Sequence, residues 1–229
     1  GVFFANPGAV RMENMLIRWM RDMVGFPEQT AGNLASGGSI ASLAALVTAR
    51  DAHQLRGRDF ERTVVYLTEQ THHAIHKALR IAGLGEAIHR VIPMDEHFRM
   101  QPDALEKQLQ ADREQGLYPW LLVGSAGTTD AGAIDPLSTL GDVAKAYGLW
   151  FHVDGAYGGF FLLAPTGQER IQGVAKADSV VMDPHKGLFL PYGIGAVLVK
   201  DGDQLYRSHY YTANYMQDSL SADEEVSPS

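Results

Sequence analysis

The spacing of apolar positions changes character along the chain. Met12, Met15, Leu16, Trp19, Met20 and Met23 fall at helical intervals, so Ala9 to Val24 is predicted as an amphipathic helix that stops before Gly25. A methionine stripe of this kind belongs to a core or a subunit interface rather than to a cofactor box. Asn33-Leu34-Ala35-Ser36-Gly37-Gly38-Ser39 then forms a glycine–serine turn opening an alanine- and leucine-rich helix, Ile40 to Ala49. Beyond it, short apolar runs alternate with helical segments. Strands are predicted at Thr63–Leu67, Ala87–Ile92, Trp120–Val123, Leu149–Val153 and Val180–Met182, with a last buried strand in Tyr192–Val199. Helices are predicted at Thr71–Ile81, Pro102–Gln115 and Pro136–Tyr147. Such alternation indicates an α/β fold: a mostly parallel sheet covered on both faces, in one domain without internal repeats.

Composition narrows the class without changing that picture. The 229 residues, 45% hydrophobic and 20% charged, suit a globular protein with ample core. A net charge of -8 gives no electrostatic reason for a nucleic-acid partner. No apolar run approaches the roughly 18 residues of a membrane span, so no membrane partner is expected. The absence of cysteine excludes disulfides, thiolate catalysis and cysteine–metal sites, and is compatible with the expected cytoplasmic location. The abrupt start at Gly1 and the acidic end, Ser221 to Ser229, read as cuts through a longer protein.

Four polar clusters follow predicted strands: Glu69-Gln70-Thr71-His72, Gly127-Thr128-Thr129, Asp154, and Asp183-Pro184-His185-Lys186. In an open α/β sheet the carboxyl ends of the strands share one rim, where ligands bind. The turn at Gly38-Ser39 adds a helix N-terminus suited to a phosphate. Taken singly, Lys186 is equally well read as a surface lysine, and Ser39 as a plain helix cap. Together they match the needs of pyridoxal 5'-phosphate. Lys186 offers an amine for an imine, Asp154 a carboxylate for the ring nitrogen, His72 a flat group for the ring face, and Gly38 and Ser39 donors for the phosphate. A rival metal reading pairs His72 with His76 on one helix and adds His152 and Asp154. It lacks the glutamate of a zinc-protease motif, and His73, His76 and His89 are expected to be solvated or hydrogen-bonded.

The series Ser36-Gly37-Gly38-Ser39, Gln70-Thr71-His72, Gly127-Thr128-Thr129, His152-Val153-Asp154-Gly155-Ala156-Tyr157-Gly158-Gly159 and Asp183-Pro184-His185-Lys186 resembles the group II pyridoxal-phosphate-dependent amino-acid decarboxylases. The resemblance is closest to their aromatic-amino-acid branch and runs in the family's order over nearly the whole chain. It implies a fold type I large domain: a mainly parallel seven-stranded sheet with helices on both faces, in three layers. It also implies a homodimer with the active site at the interface and an amino acid as its small-molecule substrate. Lys186 becomes the Schiff-base lysine, Asp154 the partner of the ring nitrogen and His72 the stacking group. Gly38 and Ser39 would hold the phosphate, with Ser179 as a further contact. Thr129, and after it Thr128, would lie near the ring or its 3'-oxygen. Ala156 would pack on the opposite ring face, and His185 would sit beside the lysine over the substrate. Lys186, His72, Asp154 and His185 are thus the expected catalytic set.

Two departures stand out. Ile40 replaces an acidic residue, and Asp183 stands where the family often has asparagine, so a phosphate contact there would meet added negative charge. The implied reaction is decarboxylation of an aromatic L-amino acid to its amine and carbon dioxide. The alternatives are an aldehyde synthase, a glutamate-type decarboxylase, a desulfurase-like lyase or a non-catalytic dimerising relic. Family members are longer, with an N-terminal dimerisation segment, a mobile loop bearing a tyrosine and a small C-terminal domain. Residues 1–218 are therefore expected to be the large domain and 219–229 an acidic tail where that loop begins. Phe3, Phe4 and Pro7 are candidates for the substrate pocket.

Overall fold

The computed structural model describes residues 6–210. The calls on Phe3, Phe4 and the 219–229 tail lie outside them. The chain runs α1 (Pro7–Val24), β1 (Ala31–Ala35), α2 (Gly38–Ala52), β2 (Thr63–Leu67), α3 (His73–Ile81), β3 (Ile88–Val91), α4 (Pro102–Glu114) and β4 (Tyr118–Ser125). It continues through α5 (Leu137–Tyr147), β5 (Trp150–Asp154), α6 (Pro165–Arg170), β6 (Ser179–Met182), α7 (Pro184–Gly187), β7 (Gly195–Val199) and α8 (Gly202–His209).

Every residue of β2, β6 and β7 is buried, as strands covered on both faces require. Alternate side chains enter two separate cores. Val64, Tyr66, Leu122, Phe151 and Leu198 join Ile17 and Met20 of α1, Leu105 and Leu109 of α4 and Leu140 of α5. Val65, Leu67, Val123, Val181 and Val197 join Ala45 and Leu46 of α2, Ile75 and Leu79 of α3 and Leu205 of α8. The molecule has three layers, as the resemblance implied.

The sheet holds seven strands in the order β1-β7-β6-β5-β4-β2-β3. From β3 to β6 all pairs are parallel, whereas β7 is antiparallel to both its neighbours. The link from β6 to β7 holds a helical turn and a loop, and β7 runs back beside β6. β1 then pairs with β7, Ala35 opposite Gly195, which brings the start of α2 to the same rim as the ends of β4, β5 and β6.

The structure adds one strand that the sequence reading did not contain. β1, Ala-Gly-Asn-Leu-Ala, carries almost no strand propensity, and only its pairing with β7 makes it a strand. The lysine turn is a helical turn, α7. The methionine stripe is split: α1 buries Val10, Ile17, Met20 and Val24, while Met12 is 62% and Trp19 44% exposed. Among the described residues no helix is long and apolar enough to cross a membrane.

One buried acid ties α4 to the sheet. Asp112, fully buried, accepts from Arg90 Nη2 at 2.6 Å and Nε at 3.0 Å, from the Tyr66 hydroxyl at 2.8 Å and from Gln108 Nε2 at 3.0 Å. Removing the acid strands these donors. Asp112→Ala is therefore expected to destabilise the fold by roughly 3 kcal/mol, read as a lowered urea midpoint with an unchanged slope.

Candidate active site

The rim formed by the strand ends encloses a cavity of about 370 Å³. β5 delivers Asp154, which pairs in register with Ser125 of β4 and Val181 of β6. The chain leaving β2 supplies Gln70 and His72, the turn after β4 supplies Thr128 and Thr129, and α7 supplies His185 and Lys186. Gly38 and Ser39 open α2 on the far wall. Gly38, Ser39, His72, Thr128, Thr129, Asp154, Ala156, Asp183, His185 and Lys186 all line this one cavity.

Each of these side chains is held by its surroundings. Asp154 Oδ1 accepts the Ala156 N–H at 3.1 Å. Burial raises its carboxyl above the usual range, while the Ala156 bond and the charge of Lys186 pull it back. His72 caps α3: its Nδ1 accepts from Ala74 N at 3.2 Å, which leaves the ring proton on Nε2. Its ring lies 4.0 Å from that of His73. Burial and then His73 lower its basicity, so it stays neutral. His185 Nδ1–H donates to Ile194 O at 2.6 Å, which turns Nε2 toward Asp183, and Tyr192 packs edge-on against the ring at 4.9 Å. Lys186 Nζ lies 3.1 Å from Asp183 Oδ2. Thr128 Oγ1 accepts from Ala133 N and so braces its own loop, leaving Thr129 the more open of the pair.

Ser179 does not reach the cavity. It begins β6, at the end of the strand away from the rim, and is fully buried. Its hydroxyl meets Trp150 Nε1 at 2.9 Å and His152 Nδ1 at 2.8 Å. The phosphate contact expected of it is withdrawn. The same bond turns His152 into the sheet's cover, away from any shared metal site. His76 packs its ring on His89 at 5.2 Å, and His89, expected to be solvated or hydrogen-bonded, is half-buried with its Nε2 buried and without a hydrogen-bond partner. The sequence reading passed over Ser125, Tyr157 and Tyr192 as lining groups. Tyr157 lies inside a motif already quoted, and Tyr192 begins a segment read wholly as strand.

Residues 3–227 match the pyridoxal-dependent decarboxylase conserved domain. The chain belongs to the pyridoxal-dependent decarboxylase family. It is 39% identical to an aromatic-L-amino-acid decarboxylase of Bacillus atrophaeus over 219 residues, which are 95% of this chain and 45% of that protein. It is 36% identical to the cysteine sulfinic acid decarboxylase of Mus musculus over 216 residues, 92% of this chain and 44% of the relative. Among solved structures, Oryza sativa TDC with PLP and tryptamine superposes with a TM-score of 0.87 at 31% identity, covering 94% of this chain and 47% of that one. The chain thus spans about half the length of these relatives.

The cavity fits the family's cofactor on its own terms. No side chain caps α2 at Gly37, so its first N–H groups are free to meet an anion. An amine, a buried carboxylate and a neutral imidazole face the same space.

The buried His152 gives a stability test independent of the cofactor. Burial depresses its basicity to about 4, so the unfolded chain takes the proton first as pH falls. Its contribution is present above about pH 6.5 and is lost as pH falls through about 4, a loss of roughly 3 kcal/mol. Urea midpoints of wild type and His152→Gln across that window should converge on acidification. Parallel curves would show that His152 does not carry the linkage.

Proposed function

We propose that this chain is the cofactor-binding core of a pyridoxal-phosphate-dependent decarboxylase acting on an aromatic L-amino acid. The observation that carries the reading is the convergence of Lys186, Asp154 and His72 in front of the uncapped start of α2. The cofactor, when bound, supplies an aldehyde that captures amines and a protonated ring that draws electrons from a breaking bond. Lys186 would supply the amine that anchors it. Gly38 and Ser39 would hold its phosphate through backbone N–H groups, aided by the helix dipole. Asp154 would keep a proton on the ring nitrogen, in a setting where burial strengthens that attraction. His72, neutral and fixed by Ala74, would cover one ring face, and Ala156 the other. His185, anchored by Ile194 O, presents Nε2 beside Lys186, where it can hold or pass a proton.

Support for an aromatic substrate comes from the Bacillus relative and from the aromatic rim, where Tyr157 and Tyr192 line the cavity. Support for a homodimer comes from apolar surface beside the site. Trp19 of α1 stacks on Phe160, and Phe161, Leu163, Phe189 and Leu190 are exposed nearby along the chain. On this reading a second copy completes the substrate pocket.

The test uses the full polypeptide. A visible absorbance band is expected with pyridoxal 5'-phosphate, and Lys186→Ala should abolish it and lower turnover on the order of a thousandfold. Amine and carbon dioxide should appear from tyrosine, tryptophan or DOPA. Release from cysteine sulfinate or glutamate alone would overturn the aromatic assignment, aldehyde in place of amine would make it a synthase, and no release from any would overturn the decarboxylase reading. For the dimer, Met15→Glu with Trp19→Glu should shift the sedimenting species toward monomer, and an unchanged species would place the interface elsewhere.

A further inference from the structure

The proposed function leaves the charge of Asp183 without a task. The residue is 1% exposed and stands immediately before α7. Its two oxygens are treated unequally. Oδ2 lies 3.1 Å from Lys186 Nζ and 3.9 Å from His185 Nε2, whereas Oδ1 is buried with no hydrogen-bond partner. The backbone is cleared around it. A Cβ on Gly38 would stand 2.8 Å from Oδ2, and one on Gly195 would stand 2.8 Å from Oδ1. The carboxylate is therefore packed on the first residue of α2, the helix end that no side chain caps. A helix N-terminus and an adjacent ammonium both favour an anion. Asp183 thus uses the environment that the cofactor's phosphate would need.

The groups facing Asp183 cannot hold two anions equally well. From α7 come Lys186, which opposes its charge, and His185, whose Nε2 stands 3.9 Å from Oδ2. From β5 comes Asp154, which adds to it. His72, at the head of α3, is driven toward its neutral form by burial. Gly38 of α2 and Gly195 of β7 bring no charge. A phosphate dianion seated on α2 would meet a like charge in a poorly solvated site, where the repulsion is strong.

We propose that Asp183 makes cofactor binding proton-linked: the phosphate settles on α2 only with the Asp183 carboxyl protonated, the proton being taken from solvent. The stranded Oδ1 is then an O–H donor beside the phosphate, not a bare acceptor. The inference rests on the cavity being the pyridoxal phosphate site.

The test is a titration of the full polypeptide, stripped of cofactor, with pyridoxal 5'-phosphate and separately with pyridoxal, which lacks the phosphate. It runs from about pH 7 to about pH 9, above the second phosphate ionisation near 6. Dividing the two affinities removes what the amine and ring contribute. In wild type the ratio should fall about tenfold per pH unit, the slope of one linked proton. In Asp183→Asn it should be flat, and larger than the wild-type ratio at the alkaline end. Calorimetry in two buffers of different ionisation heat should register about one more proton taken up with pyridoxal 5'-phosphate than with pyridoxal in wild type. A flat wild-type ratio overturns the proposal without recourse to any variant, and so does a ratio that still falls with pH in Asp183→Asn. If wild type binds no pyridoxal 5'-phosphate at all, the cofactor reading falls and this inference with it, a result distinct from a flat ratio.

Discussion

A sheet covered on both faces leaves polar chemistry only one place to go. With β2, β6 and β7 buried along their whole lengths, a charge on either face would sit in a core. The strand ends are free of that penalty. Because β2, β4, β5 and β6 run parallel, their carboxyl ends share one rim, and residues from Gly38 to Lys186 meet there. The antiparallel β7 and β1 extend the rim by turning the chain so that α2 begins on it. The exceptions show the cost of leaving the rim. Asp112 is buried among four donor contacts, and His152 gives up its charge.

Within the cavity the two acids are set apart by what each touches. Asp154 accepts a backbone N–H and feels Lys186 at a distance. Asp183 holds Lys186 directly and leaves one oxygen without a partner. Two carboxylates facing one lysine give the site a negative balance before any ligand arrives. On the proposed function, a cofactor with a phosphate and a basic ring nitrogen would divide that balance, with Asp154 serving the nitrogen and Asp183 facing the phosphate. The glycines at 38 and 195 belong to the same arrangement, since any side chain there would displace the Asp183 carboxylate.

Much of this was legible in the sequence, for identifiable reasons. β2 and β5 are dense in β-branched or aromatic residues, and β6 is an apolar run, so local pattern and tertiary role agree. β1 escaped notice because its stabilisation comes from β7, far away in the chain. The cluster residues that converge did so because each follows a strand, a position the pattern reveals. Ser179 failed for the complementary reason: it opens its strand, and in a parallel sheet that end faces away from the rim. What a motif cannot show is which neighbour a side chain chooses. Ser179 was taken by Trp150 and His152 inside the core.

The α1 stripe is the converse case, a pattern only part of which meets this chain's core. An amphipathic helix needs one apolar face, and α1 has apolar residues on two. Ile17, Met20 and Val24 join the core, while Met12, Met15 and Trp19 are exposed. Leaving large side chains in water forgoes on the order of 2 kcal/mol each. The same excess recurs at Phe189 and at Tyr192, which lines the cavity. On the proposed function, a second copy that covered both surfaces would close the site at the same time. On the proposed function, Tyr157 and Tyr192, which line the cavity, are the residues of this chain that would meet an aromatic substrate.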